Sequence, residues 1–284
     1  MQYLYIYRLY FYIQKVESWG FIIFLHMARS LTIKDPKEKL APLETPCMIA
    51  ATEMGMIPCV TPDISSSIPY YLSLGDFIEN KLPKDTSIPV SLGLGERWIF
   101  LGPGTNFNNF DEGPSNKGIK IYCRNGSSKA VDKEEYQKIV DQIRPNIVIS
   151  LYSSVLPGSS SRQRKNRISS TIELATKYPN TITFTHELCN EKIDENSNLS
   201  EEHQELIKST GIFFQYGEIT EEAEKNIAAK IAQRDPSLPR MILCDGHPGD
   251  VRKCYNLGID LFLFNLPYLA AKRGIAMNFD FHAT

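Results

Sequence analysis

The chain has 284 residues and a mass of 32.2 kDa, enough for one barrel or for two smaller domains. Its 42% apolar and 23% charged residues are typical of a globular protein. A net charge of −2 excludes a strongly basic surface, so any nucleic-acid contact requires a local basic patch. The 6 cysteines form no closely spaced pair, which indicates reduced thiols and argues against an internal zinc knuckle.

The first 26 residues, "MQYLYIYRLYFYIQKVESWGFIIFLH", are aromatic-rich and unlike the rest of the chain. Arg8, Lys15 and Glu17 interrupt the apolar run well short of the length that spans a bilayer. We interpret residues 1–26 as an extension of uncertain origin and Met27 as the natural start. A weak membrane anchor or targeting segment is the alternative interpretation.

Short β-type runs begin near residue 43. The runs "CMIAAT", "SIPVSLGL" and "WIFLGPG" predict three strands, and the last precedes a loop over residues 102–118 rich in Asn, Gly and Pro. The run "IKIYCR" predicts a further strand that turns at Asn125 and Gly126, a dipeptide that tolerates positive φ. This part of the chain therefore predicts several strands joined by loops.

A strand and helix alternation fills the rest of the chain. In "DKEEYQKIVDQI", Asp132 can cap an amphipathic helix, Pro145 ends it, and "NIVISLYSS" follows as a buried strand. The later predicted strands are "TITFTHEL", "GIFFQYG", "MILCDG" and "DLFLFNLP"; the helices are "RISSTIELATKY", "SEEHQELIKST", "TEEAEKNIAAKIAQR" and "GDVRKCYNLG". Apolar strands alternating with helices predict a parallel sheet. Because no strand is followed by a phosphate-binding glycine motif, a (β/α)₈ TIM-type barrel fits better than an open doubly wound sheet.

In such a barrel the functional residues follow the carboxyl ends of the strands. The polar candidates at these positions are Ser153, Ser154, His186, Glu187, Gln215, Glu218, Asp245, His247 and Asn265. Asp245 and His247 could act as an acid and base pair. The alternative is that Asp245 braces the turn and "HPGD" begins a helix with Pro248 in its first position. His186 and Glu187 alternate along a strand, so they cannot both point into one site.

The run "SSSRQRKNR" contains four basic residues at a predicted junction between a loop and a helix: Arg162, Arg164, Lys165 and Arg167. On a slightly acidic protein, such a cluster is where phosphate contact would be made. A solvated surface loop is the other interpretation, and the sequence does not decide between them.

Three ordered blocks, "TPCMIAATEMGMIPCVTPDI", "YCRNGSSKAVDKEEYQKIVDQIRPNIVI" and "DGHPGDVRKCYNLGIDLFLFNLPYLAAKRG", resemble the tRNA-guanine transglycosylase (queuine tRNA-ribosyltransferase) family. The resemblance implies that Leu263 occupies the position of the family's nucleophilic aspartate and that Ser153 or its neighbour occupies that of its base-recognition aspartate. Lys272 and Arg273 lie in the segment whose arginines contact RNA in the family. The resemblance therefore makes them further candidates for contact with tRNA phosphates.

These differences make the sequence similar to the family's non-catalytic, accessory-subunit branch. The resemblance implies a catalytically inactive protein that forms a heterodimer with a catalytic queuine tRNA-ribosyltransferase subunit and binds tRNA but not DNA. The pair would exchange guanine for queuine at the tRNA wobble position, in the cytoplasm or at the mitochondrial outer surface. The alternatives are an independent barrel enzyme that uses Asp245 and His247, and a non-functional truncated fragment.

The family carries a Cys-rich zinc subdomain after its last barrel strand, and this chain ends at Thr284 before any such segment. We therefore interpret residues 27–284 as a transglycosylase-like barrel domain that is incomplete at its C-terminus. Zinc is the cofactor that the resemblance implies. Because its ligands are absent from this chain, we predict that the chain binds neither a metal nor another cofactor.

Overall fold

The computed structural model describes residues 29–53, 55–57, 68–78, 93–94, 96–104, 114–115, 118–123, 126–155, 158–191 and 200–274. The proposed extension at residues 1–26 lies outside the described residues, and so does nearly all of the predicted strand "SIPVSLGL".

Eight parallel strands close into a barrel, which confirms the predicted TIM-type fold. Two short antiparallel strands precede it, β1 (Thr32–Ile33) and β2 (Leu43–Glu44). The barrel strands, in chain order and in their order around the ring, are β3 (Cys47–Ala51), β4 (Tyr70–Ser73), β5 (Ile99–Gly102), β9 (Ile147–Ile149), β10 (Ile182–His186), β11 (Gly211–Gln215), β12 (Arg240–Cys244) and β13 (Leu261–Phe264). β13 pairs with β3, so the expected incompleteness at the C-terminus does not affect the ring of strands.

Strand β4 was not predicted from the sequence. Tyr70, Tyr71 and Leu72 are all buried in it, and Tyr70 pairs with Ile99 of β5. This strand is short and buried on both faces, so its residues do not alternate between apolar and polar, and the following Leu-Gly-Asp begins a 3-10 helix at once. The second strand of the ring therefore lies earlier in the chain than the run "SIPVSLGL".

A small antiparallel sheet lies between β5 and β9. It consists of β6 (Pro114–Ser115), β7 (Gly118–Tyr122) and β8 (Ser128–Val131), so the predicted loop over residues 102–118 contains a short strand. Gly126, with φ of 86°, lies between β7 and β8 as the predicted turn requires; its neighbour Asn125 lies outside the described residues.

Six α-helices accompany the described barrel strands: α1 (Lys133–Ile143), α2 (Ser161–Leu174), α3 (Glu201–Lys208), α4 (Glu221–Ala232), α5 (Pro248–Asn256) and α6 (Asn265–Lys272). Helix α1 begins as predicted, because the Asp132 side chain accepts a hydrogen bond from Glu135 N. Among the described helices, none combines the length and the apolar composition that crossing a membrane requires.

Two helix boundaries differ from the prediction. Helix α2 begins at Ser161 rather than Arg167, because Ser160 and Gln163 form a reciprocal capping box. Strand β13 ends at Phe264 rather than Pro267, and Asn265 begins α6 directly. The last strand is therefore followed directly by a helix.

Side chains along the barrel strands alternate between one apolar core inside the barrel and two apolar clusters outside it. Leu261 and Leu263 of β13 pack inside the barrel, whereas Phe262 and Phe264 pack outside it against α4 and α5. This alternation identifies which residues at the ends of the strands point into the barrel.

Candidate functional site

The carboxyl ends of β10 to β13 meet at one end of the barrel, which we call the mouth. His186 and Gln215 are the last residues of β10 and β11, and each continues the inward alternation of its strand. Asp245 and Asn265 directly follow β12 and β13. Four of the sequence-predicted candidates therefore lie at the mouth.

Asp245 and Asn265 are neighbours across the last two strands. Cys244 pairs with Phe264 in the register, and Leu266 N donates a 2.8 Å hydrogen bond to the main-chain oxygen of Asp245. Asp245 is half-buried, whereas Asn265 is 2% exposed. A carboxylate and an amide thus follow two paired strands at the mouth.

His186 is fixed in a neutral state at the mouth. Its Nδ1 accepts a hydrogen bond from Leu188 N at 3.2 Å, and Tyr152 stacks on its ring. Burial, together with the positive charge of Lys230, lowers the pKa of His186 to about 3. A neutral imidazole whose Nδ1 accepts a hydrogen bond carries its proton on Nε2, so His186 can act as a donor there.

Glu187 points away from His186, as the alternation predicted. Tyr216 donates a 3.1 Å hydrogen bond from its hydroxyl to Glu187 Oε2, and Lys230 Nζ lies 3.4 Å from the same oxygen. Burial raises the pKa of Glu187, and the charge of Lys230 opposes that rise. Lys230 also pairs with Glu191 at 3.0 Å, so Glu187 belongs to a buried charge network outside the mouth.

Ser154 and Gln215 join the ends of β9 and β11 at the mouth. The Ser154 hydroxyl donates to Gln215 Oε1 at 3.2 Å. Glu218, which follows β11, is exposed. Of these three candidates, Ser154 and Gln215 are brought together.

Ser153 and Leu263 are both fully buried. Ser153 N donates to Thr171 Oγ1 of α2 at 2.9 Å, so its main chain is held by the helix that covers the barrel. Leu263 belongs to the core inside the barrel. A hydrocarbon side chain cannot attack a sugar carbon, so any attack by this protein requires a different residue.

Asp245 and His247, the proposed acid and base pair, lie between the end of β12 and the start of α5. His247 occupies the cap position of α5 and is exposed, Pro248 is in the first turn, and Asp250 accepts a hydrogen bond from Ile219 N. The helix-opening interpretation of "HPGD" is therefore confirmed, and Asp245 is left at the mouth.

The basic cluster lies on the first two turns of α2 and contains both exposed and buried residues. Arg162, Arg164 and Lys165 are exposed, and Arg164 pairs with Glu191 at 3.0 Å. Arg167 is 9% exposed and donates to the main-chain oxygen of Ser154. Three of the four residues are therefore accessible, and the fourth braces the chain that leads from β9.

The other two phosphate candidates lie at the end of α6. Arg273 is exposed, and the side chain of Lys272 lies outside what the structure describes. Their helix begins at the mouth and runs away from it, since α6 starts directly at the end of β13.

No three His, Cys, Asp or Glu side chains in the described ranges lie close enough together to hold a metal ion. Five of the cysteines are buried free thiols, and burial raises the pKa of Cys47 and of Cys189 to about 12, so neither is a ready thiolate ligand. The described residues thus do not fit the zinc site that the resemblance implied. That the whole chain binds no zinc stays a prediction.

Comparison with known proteins gives one family. The model of the queuine tRNA-ribosyltransferase family matches residues 26–282. A search of curated proteins finds no match. The family match contradicts the prediction that the chain is not an enzyme, because the family is one of tRNA-guanine ribosyltransferases and the match spans most of the chain.

Proposed function

This chain belongs to the queuine tRNA-ribosyltransferase family, and on that premise we propose that it exchanges guanine for queuine at the tRNA wobble position as one subunit of a heterodimer. The partner is a second, catalytic subunit of the same family. The observation that carries the proposal is the family match over residues 26–282 together with a closed barrel whose mouth is polar.

The exchange replaces one base by another on the same ribose carbon. A double displacement requires a side chain that attacks this carbon and later leaves, and carboxylates perform this role. Asp245 is a half-buried carboxylate at the mouth, and its strand pairs with the strand that Asn265 follows. We assign to Asp245 the contact with the reacting nucleoside in this subunit.

Neighbouring groups at the mouth are suited to binding a nucleobase. The Ser154 and Gln215 pair offers polar side chains, and His186 offers a neutral imidazole. Tyr152 and Phe213, which contact the His186 ring, supply aromatic walls. Planar bases bind by stacking on aromatic rings and by hydrogen bonds at their edges.

The test is incorporation of labelled guanine into tRNA by the purified chain, by the partner subunit, and by both together. We expect the mixture to incorporate guanine at least about ten times faster than the sum of the two separate rates. Such a change corresponds to a barrier that is lower by about 1.4 kcal/mol. Additive rates would refute the heterodimer.

The Asp245→Asn variant, added to the same mixture, tests the assignment of that residue. Loss of one catalytic carboxylate typically lowers the rate by about 100-fold or more. An unchanged rate would remove Asp245 from the reaction without affecting the heterodimer.

A further inference from the structure

Asn265 has an unsatisfied polar atom in an almost fully buried position. Its side chain is 2% exposed, and its Oδ1 has no hydrogen-bond partner within the described part of the chain. Buried acceptors are nearly always paired, because leaving one unpaired costs the free energy of removing it from water. Among the described residues, Oδ1 of Asn265 is therefore an acceptor that is left open to a ligand.

The position of Asn265 in the barrel directs this acceptor toward the mouth. Leu263 packs inside the barrel, Asn265 begins helix α6 just after it, and Tyr268, on the same face of this helix as Asn265, packs against the core inside the barrel. Strand β13 pairs with β12 on one side and with β3 on the other. Asn265 directly follows β13 and therefore lies between the ends of these two strands.

We infer that Asn265 is a specificity-determining residue whose Oδ1 accepts a hydrogen bond from an N–H group of the bound nucleobase. The identification of the ligand as a nucleobase rests on the proposed function. Guanine presents N–H donors on its ring nitrogen N1 and on its exocyclic amine, whereas unsubstituted purine lacks both. An acceptor that is desolvated before the ligand arrives favours ligands that satisfy it, because an analogue without the donor leaves the acceptor unpaired.

The effect of a substitution at Asn265 on the Tm distinguishes a ligand-binding role of Oδ1 from a structural role. If Oδ1 serves the ligand, replacing the amide by a hydrocarbon of similar size removes an unpaired acceptor from the free protein. The Asn265→Leu variant should then have a Tm equal to or higher than that of the wild-type chain. If the amide holds the fold together, the same change should lower the Tm.

The experiment is calorimetric titration of the full chain with guanine and with purine, alongside thermal unfolding without ligand. We expect the wild-type chain to favour guanine by about tenfold or more, and the Asn265→Leu variant to bind both bases alike. Asn265→Asp keeps an acceptor in place and should retain the preference for guanine; if Asn265→Leu fails to fold, this variant carries the test. Equal binding of the two bases by the wild-type chain, or loss of the preference in Asn265→Asp, would overturn the inference.

These measurements are distinct from the test of the proposed function. Base binding is measured on this chain alone, whereas exchange is measured with the partner subunit and tRNA. Asn265-dependent binding without exchange would refute the proposed function and leave the acceptor role standing. Exchange without guanine binding by the chain would refute the acceptor role and leave the proposed function standing.

Discussion

Tyr152 stacks on His186, with ring centroids 4.4 Å apart and ring planes inclined by 22°. Tyr152 follows β9 and His186 ends β10, so the stack joins two neighbouring strands at the mouth. Phe213 approaches the same imidazole edge-on, with centroids 5.9 Å apart. An imidazole between aromatic rings is favoured in its neutral form, because burial penalises the charged one.

We predict that His186 makes the stability of the protein depend on pH. Its pKa falls from an ordinary 6.5 to about 3 on folding, so the unfolded chain binds more protons than the folded one between these values. The stabilisation is present above pH 6.5 and is lost as pH falls toward 3, by up to about 1.4 kcal/mol per pH unit. Urea unfolding at several pH values measures this.

The matched control for this prediction is His186→Asn, whose side-chain oxygen can still accept from Leu188 N but does not titrate in this range. The difference in unfolding free energy between wild type and variant should shrink as pH falls from 7 to 5. A constant difference would contradict the neutral state of His186.

Lys230 should be essential for stability because it neutralises buried carboxylates. It lies 3.4 Å from Glu187 and 3.0 Å from Glu191, and the side chains of Lys230 and Glu187 are 11% and 7% exposed. Replacing Lys230 by Met leaves Glu187 buried without its cation, which typically costs about 3–5 kcal/mol. Lys225→Met, on an exposed position of the same helix, should change the unfolding free energy by less than about 0.5 kcal/mol.

The pH dependence of the Lys230→Met variant provides a second measurement. Burial already raises the pKa of Glu187, and loss of Lys230 removes a group that lowers it. A carboxyl with a raised folded pKa stabilises the fold below its unfolded pKa and loses that contribution as pH rises. The deficit of the variant should therefore grow between pH 4.5 and 7. A deficit that does not change over this range would argue against burial of a charged Glu187.

The barrel could be predicted from the sequence because local residue patterns indicate the order of its strands and helices. Asp132 and Pro145 define the start and end of α1, and β-branched residues fill β9. The sequence did not predict β4, in which the apolar residues do not alternate with polar ones. It placed the start of α2 at Arg167, because a run of Ser and Arg resembles a loop until the reciprocal bonds of Ser160 and Gln163 are seen.

From the sequence, the site residues were predicted only as separate polar residues at the ends of strands, without their arrangement in space. Asp245 and Asn265 appeared among the candidates, but their adjacency depends on the register between β12 and β13, which no local pattern encodes. Tyr152, which lies at the mouth, was not a candidate, because an aromatic residue after an apolar strand is expected to belong to the hydrophobic core. Its proximity to the predicted Ser153 was the signal that could have identified it.

Leu263 should behave as a core residue in every measurement of stability. It is fully buried among the side chains inside the barrel, so Leu263→Ala should lower the unfolding free energy by about 2–5 kcal/mol. Leu263→Met nearly conserves volume and should cost less than about 1.5 kcal/mol. Met56→Ala, at a side chain that is 62% exposed, is the control and should have little effect. A Leu263→Ala variant as stable as wild type would show that this position is not packed.

The purified chain should contain no stoichiometric zinc. Structural zinc requires about four Cys or His ligands at tetrahedral positions, and the described residues bring no three candidate ligands together. Elemental analysis measures the content directly. Treatment with a chelator should leave the Tm unchanged, because a structural metal contributes its binding free energy to folding. One zinc per chain, or a chelator-induced fall in Tm, would contradict the prediction.

The exposed basic residues at the start of α2 should contribute phosphate contacts to tRNA, whereas Arg167 should not. Arg162 and Lys165 are exposed near the mouth, and Arg167 is engaged with the main chain of Ser154. Each phosphate contact releases counterions and adds about 0.7–0.9 to the slope of log affinity against log salt. Replacing Arg162 and Lys165 together by Gln should thus reduce the slope for tRNA by about 1.4–1.8.

Two controls separate this effect from a change in overall charge or in stability. Lys177 and Lys208 are exposed and lie near the amino ends of the strands, opposite the mouth, so their double replacement by Gln removes the same charge without changing the slope. Arg167→Met should lower the unfolding free energy by about 1.5–3 kcal/mol, because it removes a charged hydrogen bond to a buried carbonyl. Equal reductions of the slope in the two double variants would show that the cluster on α2 acts through net charge alone and is a solvated surface.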